Sequence, residues 1–121
     1  MSSLNIIARY EALKTLGFAA IGAAFTGVVD MAGNPTAASH PIRIYTILNR
    51  TDADLQFSVD GIDPFILIPN GQSYTEDLCG NLTLQGGSFM LPEGSRLYVK
   101  HNGVAPTSGA IYWTICYGSS N

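Results

Sequence analysis

The chain has 121 residues, of which 46% are hydrophobic and only 12% charged, and its net charge is −3. That length is one domain, able to bury a core without disulfides or metal. The scattered arginines and lysines exclude a basic face for nucleic acid or membrane.

A charged share near half the usual ~25% leaves little to keep a small monomer soluble. Much of the surface is therefore expected to be covered by other copies of the chain or by other proteins, the alternative being a low-charge monomer solubilised by Ser, Thr, Asn and Gln.

Two regions differ in texture. Residues 1–39 are rich in alanine, glycine and other small residues and read as an N-terminal arm and linker, whereas 40–121 read as the folded domain. Ser2 or Ser3 is placed to cap a short helix over 4–14, with Leu4, Ile7 and Ala8 near one face. Gly17, Gly22 and Gly27 then recur every five residues, which argues against a continuous helix to Val29. A glycine-interrupted strand over 18–28 is expected, suited to docking on another chain. The residues expected to contact a neighbour are Leu4, Ile7, Tyr10, Leu16, Phe18, Ile21, Phe25 and Val28. The apolar run over 16–29 is shorter than the ~20 residues of a membrane-spanning helix, and mixed charges precede it. Neither a signal peptide nor a membrane span is predicted. Gly33, Pro35 and Pro41 punctuate the connection that follows.

From Pro41 the strand signals sharpen. Residues 42–48 alternate and are β-branched. Asn49 to Asp52 is a turn, and Leu55, Phe57 and Val59 then alternate with polar residues. Asp60-Gly61 and Asp63-Pro64 end that strand, and Phe65 to Ile68 return. Asn70-Gly71 is a hairpin signal before a strand over 72–78 with Tyr74, Glu76 and Leu78 on one side. Residues 79–88 read as a loop with a short strand over 82–84, and 89–91 are apolar. Over 96–100, Leu97 and Val99 point one way and Arg96, Tyr98 and Lys100 the other. The last strand, 110–117, is apolar on both faces and is expected to be central and covered on both sides. Seven or eight short strands with turns every 8–12 residues predict an all-β fold, a single β-sandwich or jelly-roll-like domain preceded by the arm.

Residues able to carry chemistry are sparse. His40 in the linker and His101 beside a turn have no nucleophile motif near them, so no catalytic triad is expected. Asp60, Asp63, Glu76 and Asp77 are the carboxylates that glycoside chemistry would draw on, but Asp60 and Asp63 read as turn formers. Cys79 and Cys116 lack C-x-x-C spacing, so a zinc site is not predicted. Free thiols and a Cys79–Cys116 bridge both stay open. Tyr98, Tyr112, Trp113 and Tyr117 would serve either a core or a sugar-stacking platform. No cofactor is predicted.

The stretch PIRIYTILNRTDADLQFSVDGIDPFILIPNGQSYTEDLC, followed by EGSRLYVKHNGVAPTSGAIYWTICYG, resembles small structural proteins of tailed-bacteriophage virions. In those an N-x-T-D…S-x-D-G hairpin, a G-t-r-l-Y-V-K strand and a final P-t-S-G-a-v-Y strand recur. The resemblance covers about 41–118, and the 12–29 segment, with KTLGFAAIGAAFTGV, is similar to their leading strand. It implies a non-enzymatic subunit located in the virion. Such a subunit would be repeated as a homo-oligomer beside other virion proteins, in the head–tail connector, neck or tail. A capsid decoration protein is the alternative placement, and a carbohydrate-binding sandwich is the alternative function.

Overall fold

The computed structural model describes residues 6–34, 36–78 and 91–120. Among them ten strands form two antiparallel sheets that pack as a sandwich. The strands are β1 (Ile6–Tyr10), β2 (Lys14–Gly17), β3 (Thr26–Gly27), β4 (Val29–Asp30), β5 (Ile44–Asn49), β6 (Leu55–Ser58), β7 (Ile66–Ile68), β8 (Ser73–Asp77), β9 (Tyr98–His101) and β10 (Ala110–Ser120). One sheet runs β4-β2-β10-β5-β8, with β1 also on β10, and the other runs β3-β9-β6-β7.

Alternation places Leu55 and Phe57, Leu97 and Val99, and Ile111, Trp113 and Ile115 in the space between the sheets, each at most 1% exposed. Each such side chain contributes about 1.5–3 kcal/mol of burial. Strand β10 is central, as expected, with β1 and β2 on one side and β5 on the other. It is not covered on both sides, since Thr114 on its outer face is exposed. The predicted strand over 82–84, Leu4, Cys79, Phe89 and Met90 lie outside the described residues.

The N-terminal region differs most from expectation. The predicted helix is replaced by β1 and β2, both antiparallel to β10. Helix propensity at Ala12, Leu13 and Lys14 amounts to tenths of a kcal/mol and yields to tertiary pairing. The segment is no detached arm either. Leu16, Ile21 and Val28 are at most 5% exposed, within the chain's own core. At Val28 the chain steps from β3 in one sheet to β4 in the other, closing one side of the sandwich. The linker is packed down as well. Ala38 is 2% exposed, its N–H donates to Ser95 O at 2.8 Å, and its carbonyl accepts from Gly94 N.

The opposite side is closed by the β7–β8 connection and fastened by Asn49, which is fully buried. Its Nδ2 donates to the Ala53 and Ile68 carbonyls at 2.9 Å each, and its Oδ1 accepts from Thr51 N and Thr51 Oγ1. One carboxamide thus ties the β5–β6 turn of the first sheet to β7 of the second. Nearby, Gly109 has φ +89, and a Cβ there would lie 1.9 Å from the Arg50 carbonyl oxygen.

Asn49→Ala strands buried carbonyls and is expected to cost roughly 3 kcal/mol in urea unfolding. Gly109→Ala combines a positive φ with a clash against backbone and is expected to lower the melting temperature further than Gly71→Ala. Gly71 shares the positive φ but has open space around it.

Candidate functional site

The register along β10 reveals a β-bulge. Trp113 pairs with Lys14 and Cys116 with Tyr10, so three steps on β10 face four on the N-terminal strand. The extra residue falls at Glu11–Leu13. Bulges re-aim side chains, and the carboxylate of Glu11 is the side chain involved here.

That carboxylate is only 4% exposed. It accepts from Ser39 N at 3.0 Å, His40 N at 2.9 Å and Lys14 Nζ at 3.2 Å, and it lies 3.0 Å from His40 Nδ1. Burial pushes the Glu11 carboxyl up, but the Ser39 N–H, His40 and Lys14 outweigh it, and its pKa lies below the ordinary value. The His40 ring stacks on Tyr117, with centroids 3.6 Å apart and planes 3° apart. Lys14 is also nearly buried, its ammonium 5.9 Å from the Trp113 ring. Together with Tyr10, Asp30 and Thr36 these residues line an open cleft of about 380 Å³. The bonds run between the bulge and the 36–40 segment, so the cluster works as a clamp that fastens the former linker to the sheet.

Sequence reasoning missed this clamp because it assigned Glu11 to a helix and His40 to a linker. The available signal was a Glu-x-x-Lys pair interrupting an apolar strand pattern.

The predicted carboxylates divide between two places, Asp60 and Asp63 in the turn after β6 and Glu76 and Asp77 on β8. Asp60 Oδ1 accepts from Ile62 N, Ser58 Oγ and Asp63 N, which forms the turn after β6 and holds its pKa below the usual range. Glu76 stands in the other sheet, where it accepts from Tyr45 Oη at 2.6 Å. Burial, with the Glu76 carboxylate beside it, raises the Tyr45 phenol's pKa and keeps it protonated. The aromatics divide in the same way. Trp113 is 1% exposed in the core, Tyr117 covers His40, and Tyr112 is half-buried. The Tyr98 ring packs against the backbone of Gly27 and Gly61. Cys116 is a free thiol.

Of the residues expected to meet a neighbour, Tyr10 is 68% and Phe18 37% exposed, while Ile7 and Phe25 are half-buried. Leu16, Ile21 and Val28 are spent on the chain's own core and are corrected to core residues. Other apolar side chains reach solvent instead. Val59, Ile62, Phe65 and Leu67 are 40%, 76%, 42% and 42% exposed around β7. Leu13 and Met31 are 38% and 66% exposed beside β2 and β4. Sequence reasoning overlooked them because the hairpin residues alternate as an ordinary half-buried strand would.

The recurring sequence motifs meet in pairs. Asp52 of the Asn49–Asp52 turn accepts from the Thr107 N–H at 2.7 Å and from its hydroxyl, while Gly109 lies against Arg50. Gly61 of the Ser58–Gly61 turn lies under Tyr98 of the β9 strand. These motifs are joints of the scaffold. No protein-family model matches the chain, and no curated protein matches it.

Glu11 has a depressed pKa, so its bonds stabilise the fold fully above the unfolded carboxyl's pKa of about 4.5 and lose that contribution as pH falls through the folded-state value. Glu11→Gln is expected to cost about 2 kcal/mol at neutral pH. The variant should also show a flatter loss of stability below pH 4.5 than the parent, checked by urea titrations across pH.

Proposed function

We propose that this chain is a non-enzymatic structural subunit of a tailed-bacteriophage virion, repeated in the head–tail connector, neck or tail. The observation that carries the reading is the apolar surface around β7, where Ile62, Phe65, Leu67 and Val59 stand in solvent on a chain with little charge elsewhere. Clustered apolar exposure of this kind costs solubility and is retained where another protein covers it. The resemblance of 41–118 to small virion proteins supplies the assembly, and the pairing of its motifs as scaffold joints supports a role in which shape is the product. The clamp supports it too. Glu11, Lys14 and His40 are spent on one another and on a loop. Capsid decoration is the alternative placement for the same surfaces.

Immunogold labelling of virions of the phage that encodes the chain tests this. Label confined to the head–tail junction or tail is expected. Label spread over the shell would move the chain to decoration, and virions without label would remove the virion reading.

A further inference from the structure

Charge is divided along this chain in a way its net value hides. All six Lys and Arg lie in residues 1–50 and 96–121, alongside two acids, whereas 51–95 hold seven acids and no base. The fold turns much of this division into two sides, the exceptions being Arg43 and Arg50, which flank β5, the neighbour of β8. Strands β6, β7 and β8 come from the acidic stretch, and β7 and β8 are the outermost strands on one side of the two sheets. Strands β3 and β4 are outermost on the other. There Arg96 is exposed, and Lys100 of β9, the neighbour of β3, lies 4.8 Å from the Phe25 ring. Arg9 is exposed on β1, which flanks β10 on the side away from β5.

Exposed apolar residues follow the same division. Ile62, Phe65 and Leu67 stand on the acidic side, near the exposed carboxylates Asp60 and Asp63. Leu13 and Met31 stand on the other, where the Lys14–Asp30 pairing of β2 and β4 puts their backbones next in register.

We propose that copies of this chain join head to tail, the acidic β7/β8 side of one against the basic β3/β4 side of the next; this rests on the assembly reading above. A two-fold interface sets a patch against its own copy, which would place carboxylate on carboxylate. Two different patches of opposite charge on opposite sides instead fit a heterologous contact, which repeats and closes into a ring when the rotation allows. The occupant of each apolar patch is thus a second copy. Two acids stand near the basic edge, the exposed Glu93 three residues before Arg96 and Asp30, whose Oδ1 the N–H groups of Ala32 and Asn34 already bind.

Mixing two variants of the full chain tests the proposal by native mass spectrometry at low salt. Leu67→Glu disables the acidic side and Met31→Glu the basic side, both at exposed positions. Ile62→Glu and Leu13→Glu are a second pair should either fail to fold by circular dichroism. The parent is expected to oligomerise and to weaken as salt rises. Each variant alone should associate at least roughly tenfold more weakly. Their equimolar mixture should give a heterodimer, joined through the two intact sides, and nothing larger. A parent that assembles while the mixture stays monomeric, or variants that assemble as the parent does, would overturn the head-to-tail contact and leave the assembly reading standing. A parent that is monomeric at every concentration would overturn both.

Discussion

A buried carboxamide holds the two sheets together on one side of this sandwich. Asn49 is the last residue of β5, and its side chain spends its donors on Ala53 and Ile68 and its acceptor on Thr51. A polar group so placed is costly unless every bond is made, and when they are made it admits one arrangement of the surrounding loops. The β5–β6 turn, the end of β7 and the Pro69 corner are set by it. Asp52 and Gly109, which join the same turn to the start of β10, depend on that placement. The other side has a different fastening, in which Val28 crosses between sheets and Glu11 grips the 36–40 segment.

Much of the architecture from Pro41 onward was legible because one physical signal dominates there. Period-two alternation with turn residues at the breaks marks β5 to β9 within a residue or two and the start of β10, which runs three residues past its expected end, and it turns Leu97, Val99 and Trp113 inward. The first forty residues were harder for a definite reason. Their strands are two to five residues long, too short for periodicity to emerge, and the bulge at Glu11–Leu13 shifts the alternation between β1 and β2. Apolar residues in a glycine-rich segment then look as if they await a partner chain. The partners are the chain's own β10, for β1 and β2, and β9, for β3, contacts about seventy to a hundred positions away that local pattern does not encode.

The candidate surfaces were less legible than the core. Ile62 and Leu67 carry the same letters as buried residues, but Leu67 is the exposed residue of edge strand β7 and Ile62 stands in the turn before it. The Glu11–His40 contact joins positions 29 apart through a bulge, so spacing gave no hint of it. The charge division, by contrast, is written openly in the chain. It acquires a meaning once the topology places β7 and β8, both from the acidic stretch, outermost on one side of the sandwich. Sparse charge, apolar outer residues and scaffold-forming motifs are what support the proposal that this sandwich acts through its surfaces as an assembly subunit.

The central claim is that this sandwich works as one of many copies. Sedimentation equilibrium of the full chain over a wide concentration range measures that directly. The account predicts a mass that climbs with concentration well beyond one chain at low salt. A mass fixed at 12.9 kDa throughout would contradict it.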